Sequence, residues 1–188
     1  CLHLWLPPAA MAVSVANTAT SAVAIPATEV YSRFIQLNRD HPQLSQTTAL
    51  VQDQQGFLWI GTQHGLYRYD GHQLETFRAD PTNPNSLSAD WISSLLVDQQ
   101  GLLWVGTRYS GLFQITLSSG VVRHISEDQA AGLTLPSQDV QCVESGPSDS
   151  LLICTAQGLV MYQPQAKTQQ LWDGRTGLLT HNIVGAYT

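Results

Sequence analysis

From Thr47 onward, apolar and polar residues alternate in short runs: "TTALVQD", "FLWIGT", "GLYRYD" and "QLETFRA". A period of two over such runs, with β-branched and aromatic residues common, predicts strands rather than helices. The same order returns in "WISSLLVD", "LLWVGT", "GLFQITL" and "VVRHIS". Turn signals separate the runs. Asp53-x-x-Gly56 and Asp98-x-x-Gly101 lie between first and second strands, where the carboxylate can accept backbone N–H groups and glycine supplies a positive φ. Asp70-Gly71 marks the hairpin between the third and fourth strands of the first set.

The two sets are one unit written twice. "DQQGFLWIGT" (53–62) becomes "DQQGLLWVGT" (98–107), and Trp59 to Trp104 spans 45 positions. A degraded third copy, "DSLLICTAQGLVMY" (149–162), places Thr155 48 positions after Thr107, with Leu152 and Cys154 where Trp and the first Gly stood. A fourth copy begins at "LTHNIVGAYT" (179–188). Four antiparallel strands in about 45 residues predict one blade of a β-propeller. The expected fold is therefore all-β: a partial propeller over 29–188 of about three four-stranded blades, near 44–80, 88–126 and 136–173. Extra strands are expected at both ends, and the blades should form an open arc. "EVYSRFIQL" (29–37) resembles a fourth strand, the element that completes the last blade of a ring. The chain is accordingly expected to be part of a longer protein.

Blade mechanics account for the repeated residues. Trp59 and Trp104 are large flat rings suited to the wedge between blades. Gly61 and Gly106, two positions on and on the same face, would let a neighbour come close. Structural roles are thus expected for Asp53, Gly56, Trp59, Gly61 and Thr62, and for Asp98, Gly101, Trp104, Gly106 and Thr107.

Residues 1–28 begin apolar and become rich in Ala, Ser and Thr, with no Asp, Glu, Lys or Arg before Glu29. That resembles a truncated secretory signal peptide and predicts export. Cleavage after Ala12 and after Ala24 both stay open, and Pro7-Pro8 argues against a spanning helix. Cys142 and Cys154 fall on strands that should pair. They read first as small buried apolar residues, with a cross-strand disulfide as the alternative in an oxidising compartment.

Net charge is −6 and only 12% of residues are charged, so no basic stripe serves phosphates and nucleic acid is not an expected partner. No nucleophile motif or phosphate-cradling loop is present. His41, His64, His72, His124 and His181 are scattered over different repeats. "ADPTNPNS" (79–86) reads as a turn-rich connection rather than a Ca²⁺ loop. No catalytic residue, cofactor or metal site is expected. A ligand could sit on one face of the disc, where the loops after second and fourth strands emerge. That face carries Gln63-His64, Arg108-Tyr109-Ser110, Ala156-Gln157 and the long connections 78–88 and 126–137. Arg108 and Tyr109 belong to the one-residue insertion in the second repeat, and with His64 they are the candidate ligand contacts. A merely longer hairpin is the competing reading.

"LSQTTALVQDQQGFLWIGTQHGLYRYDG" and "SLSADWISSLLVDQQGLLWVGTRYSGLFQI" resemble the two-component regulator propeller repeat, whose pattern runs through D-x-x-G-x-L-W-[IV]-G-T to G-L-x-x-[YF]. The resemblance implies the extracytoplasmic, periplasmic-side part of an inner-membrane receptor. A sandwich domain, a membrane helix and a histidine kinase or diguanylate cyclase output would follow in the same chain. It further implies a small-molecule ligand such as a saccharide, and leaves room for a homodimer of the full-length receptor. Two other readings stand beside it: a propeller enzyme of the lyase or glycoside hydrolase type, and a passive interaction module of a secreted protein.

Overall fold

The computed structural model describes residues 37–77, 86–87, 91–126 and 128–175. Twelve strands form three four-stranded antiparallel sheets in sequence order. The first holds β1 (Thr47–Gln52), β2 (Leu58–Thr62), β3 (Gly65–Tyr69) and β4 (Leu74–Phe77). The second holds β5 (Ile92–Val97), β6 (Leu102–Thr107), β7 (Leu112–Thr116) and β8 (Val121–His124). The third holds β9 (Val140–Ser145), β10 (Leu151–Thr155), β11 (Gly158–Gln163) and β12 (Thr168–Trp172). The all-β expectation of successive four-stranded blades in an open array therefore holds. Of the strand expected over 29–37 only Leu37 is described, and it opens a short helix, α1 (Leu37–Asp40). The leader over 1–28, the run 79–85 and the fourth copy from 179 lie outside the described residues.

Each sheet packs face to face on the next, and the first strands β1, β5 and β9 meet side by side along one edge. Between the first and second sheets, Trp59 (2% exposed) packs with Leu66, Ile92, Val105 and Phe113. Between the second and third, Trp104 (1% exposed) packs with Leu112, Val140, Val143 and Ile153. Removing an indole and its surroundings from water in this way contributes about 4–6 kcal/mol before the cost of ordering. On the far side of the first sheet, Leu44 from the 3-10 turn Pro42–Gln46 joins Ile60 and Tyr67.

The glycines of the Trp-x-Gly motif sit where the next sheet begins. A Cβ on Gly61 would lie 2.7 Å from Ile92 Cγ2, and one on Gly106 2.8 Å from Val140 Cγ1. Only hydrogen fits there, so the first residue of the following sheet sets the residue two places beyond the Trp.

The third sheet departs from this plan. Cys154 stands in the glycine position, directly opposite Cys142, and the two form a disulfide with a Cα–Cα separation of 4.9 Å. The reading of two unbonded apolar cysteines is corrected here. The strand register puts the two residues within bridging distance, and register is not fixed by residue type alone.

Candidate ligand-binding face

Three features of the repeated motif build one end of the array. The buried hydroxyl of Thr62 donates to Gly65 O (3.0 Å) and accepts from His64 N. Thr107 does the same with Gly111 O (2.9 Å) and Ser110 N, and Thr155 with Gly158 O (2.9 Å) and Gln157 N. Each short loop is thereby tied to its own threonine. Each is also tied to the residue before the first strand: Gln63 N to Gln46 O, Arg108 N to Trp91 O (3.1 Å) and Ala156 N to Asp139 O (3.0 Å). The loops after second strands and the entries to first strands therefore share one face.

The opposite end carries the Asp-x-x-Gly turns. Asp53 Oδ1 accepts from Gln55 N and Phe57 N, and Asp98 Oδ1 from Gln100 N and Leu102 N. Gly56 and Gly101 have φ of +90° and +77°. The second carboxylate oxygen has a further role that sequence reasoning missed. Asp53 Oδ2 accepts the Trp59 indole N–H at 2.9 Å, and Asp98 Oδ2 accepts that of Trp104 at 2.8 Å. A buried indole N–H needs such a partner. The six-residue spacing from Asp to Trp, identical in both repeats, was the available signal.

On the loop face, Tyr109 is 72% exposed. Its ring meets the half-buried Trp91 edge to face, centroids 6.0 Å apart. Arg108 is half-buried, and its guanidinium lies 3.2 Å from Asp139 Oδ1 at the entry to the third sheet. Ser110 O is 2.6 Å from His124 Nε2, and the His124 ring stacks on Phe113. Arg108 and Tyr109 thus occupy one loop and are braced by neighbours. His64 is exposed on the first sheet's loop, and no hydrogen bond, ion pair or ring contact joins it to either.

A polar cleft of about 380 Å³ opens beside this loop, lined by Ser126, Asp128, Gln129, Thr134 and Gln138 among others. Gln138 O accepts from Gly111 N and so fixes the cleft to the Arg108 loop. The long connection along its rim is strapped down at three points. Asp128 pairs with Arg123 and caps the 3-10 turn Gln129–Ala131 through Ala130 N. The Arg123 side chain, then the Ala130 N–H, hold the Asp128 carboxyl below its ordinary pKa. Tyr162 donates to Ala131 O at 2.6 Å, and burial raises its phenol above the usual value. The Gln169 amide accepts from Thr134 N and donates to Thr134 O. Among the described residues no group of three His, Cys, Asp or Glu side chains is placed to hold a metal ion. No described helix is long and apolar enough to cross a membrane.

The model of the two component regulator propeller matches residues 43–64 and 86–109. Both segments run from the entry of a first strand, through the Asp–Trp hairpin, to the loop that holds His64 or Arg108 and Tyr109. Two hairpins of the chain thus match the two-component regulator propeller repeat. No curated protein matches it. Among solved structures, this propeller chain is similar to the extracellular domain of a hybrid two-component system from B. thetaiotaomicron. The identity there is 20%, covering 76% of this chain and 20% of that one, with a TM-score of 0.68. It is also similar to the extracellular domain of a one-component system from the same organism, at 21% identity over 73% of this chain and 18% of that one, TM-score 0.57. A catalytically inactive virginiamycin B lyase from Staphylococcus aureus, solved with quinupristin, shares 10% identity over 71% of this chain and 43% of that one, TM-score 0.51. The chain spans about a fifth of the length of the first two structures.

Proposed function

We propose that this chain is part of the ligand-sensing propeller of an extracytoplasmic receptor region, and that its loop face binds a small polar ligand, a saccharide by preference. The propeller would pass its signal to an output domain through a membrane helix encoded beyond residue 188. The observation that carries the reading is an exposed aromatic ring on a loop of the second repeat: Tyr109, braced by Trp91, on the loop that Gly111 joins to the polar cleft through Gln138. Sugars present a C–H face that packs on such rings, and hydroxyls that pair with groups like Arg108, Asp139 and Gln138. Export agrees with the disulfide, because cystines persist in oxidising compartments. The extracellular regulator domains whose fold the chain shares support the sensing role.

The test is a titration of the 188-residue chain with a panel of oligosaccharides, followed through tryptophan emission, since the Trp91 ring meets that of Tyr109. One saccharide should bind saturably, and Tyr109→Ala should weaken it about tenfold, as loss of one ring-stacking contact does. Saturable binding that is indifferent to both Tyr109→Ala and Arg108→Ala would remove this loop from the site. A silent panel, with turnover of a glycan instead, would favour the enzyme reading.

A further inference from the structure

The second repeat departs from the other two at two places that meet in space. One is the loop of Arg108, Tyr109 and Ser110 between β6 and β7, longer by a residue than its counterparts. The other is position 124 on β8. Strand register matches it to Thr76 in the first sheet and Leu171 in the third: Thr76 pairs with Tyr67, His124 with Phe113 and Leu171 with Val160. Only the sheet with the longer loop has an imidazole there. The ring lies flat on Phe113, centroids 4.2 Å apart and planes 8° apart. Its Nε2 is 2.6 Å from Ser110 O. A carbonyl oxygen only accepts, so Nε2 carries the proton and donates it. The same loop is held from its other side. Ser110 N donates to Thr107 Oγ1, and Gly111 N donates to Gln138 O. A Cβ on Gly111 would collide with Gln138 Oε1 and Ser126 Oγ, so two side chains of the cleft fill the space that glycine leaves.

We propose that His124 is the positioning residue of the ligand loop. Its Nε2–H latches the carbonyl of Ser110, the residue next to Tyr109, and so holds Arg108 and Tyr109 in one arrangement before any ligand arrives. The inference rests on the binding role proposed for this loop face. A loop that its ligand had to order would lose binding free energy to that ordering. A loop already held by packed, hydrogen-bonded neighbours does not. Phe113 is 1% exposed, so the imidazole stands on a fixed base. Leu171 at the matching place shows that a blade of this chain forms without histidine there. The sheet does not require the imidazole, and the loop is what it touches.

NMR of the ligand-free 188-residue chain reads the imidazole directly. Nε2 of His124 should carry a proton; a bare Nε2, with the proton on Nδ1 alone, overturns the proposal. Hydrogen exchange gives a second reading. His124→Leu, which copies the third sheet, should speed exchange of the Ser110 and Gly111 amides about tenfold. The His64 and Gln157 amides, in loops without such a histidine, should stay as they were. His124→Gln should restore most of the protection, since its amide nitrogen lies about as far along the side chain as Nε2. Unmoved Ser110 and Gly111 amides in His124→Leu overturn the latch. If that variant loosens β6 to β8 as a whole, His124→Gln decides: recovered protection at both amides supports the latch, and its absence rejects it. With a saccharide that binds in the panel above, His124→Leu should weaken binding about fivefold. Unchanged binding beside a released loop overturns the positioning role. A latched loop with a silent panel counts against the binding role of this face, and a panel that binds beside an unlatched loop counts against His124.

Discussion

In the second sheet the first hairpin is closed by Asp98, which accepts two backbone N–H groups and the Trp104 indole N–H. In the third sheet that aspartate and that tryptophan are both gone. The turn is instead built on Gly146 and Pro147, with Ser148 and Asp149 in left-handed conformations (φ 54° and 57°). Two such residues cost about 1 kcal/mol or more each. Leu152, 9% exposed, stands in the tryptophan position, and Cys142–Cys154 links the two strands of the hairpin. A covalent link across β9 and β10, at the glycine position of the motif, joins a hairpin that lacks the second sheet's indole hydrogen bond and large ring. The comparison shows that what a blade needs is closure of its inner hairpin and a filled wedge. Residue identity is one of several means.

The largest effect should come from the wedge. Trp104→Ala is expected to cost about 3–5 kcal/mol, because it opens a cavity between two sheets that cannot collapse. Leu152→Ala should cost about 2 kcal/mol, near the low end for leucine, since the side chain removed is smaller than the indole. Urea unfolding of both variants measures the difference. Equal losses would mean that Leu152 has taken over the full role of the ring, and the two sheets would differ less than proposed.

Next comes the covalent closure. The disulfide encloses a short loop, its cysteines 12 positions apart in sequence. Its loss, by reduction or by Cys142→Ser with Cys154→Ser, should cost about 2–4 kcal/mol. The loss should fall locally: amides of 140–155 should open while 92–116 keep their protection. Asp98→Ala in the second sheet should cost about 1–3 kcal/mol by stranding the indole N–H. A reduced chain with an unchanged urea midpoint would show that Gly146–Ser150 and Leu152 close the hairpin unaided.

The sequence pattern made the Trp-Gly-Thr strands legible because a 45-residue period repeats them with little change. Strand order and blade count followed from it. The cystine was not legible in the same way. Its existence depends on the register that runs from Leu151 opposite Ser145 to Cys154 opposite Cys142, and a slip of one residue would have turned the two apart. The Asp–Trp bond was hidden for a related reason. The spacing was visible, but the turn had to curl back before the second oxygen could face the indole. On the loop face, Arg108 and Tyr109 were named from a break in the repeat. Their partners Asp139 and Trp91 come from connections whose course no periodicity describes. The hydrogen bonds from Thr48 Oγ1 to Ile92 O and from Ser93 Oγ to Val140 O were invisible as well, since they join residues 44 and 47 positions apart through backbone oxygens that carry no sequence signal.

The smallest effects separate two kinds of glycine within the second sheet. Gly101 has φ of +77° and nothing within 4 Å of where a Cβ would stand. Gly101→Ala therefore pays only for left-handed backbone, about 1 kcal/mol. Gly106 has no such conformation but meets Val140 Cγ1 at 2.8 Å and Val143 Cγ2 at 3.2 Å. Gly106→Ala pays for crowding, about 1–3 kcal/mol. The two costs can overlap in size, so the discriminating measurement is a double-mutant cycle with Val140→Ala. Shrinking Val140 should offset part of the Gly106→Ala loss, with a coupling of about 0.5–1 kcal/mol, and should leave the Gly101→Ala loss additive. Additivity in both cycles would mean that the third sheet yields to the new methyl without resistance. The space that sheets 1 and 2 reserve at Gly61 and Gly106, and that Cys154 occupies in the third, would then not be what sets the distance between blades.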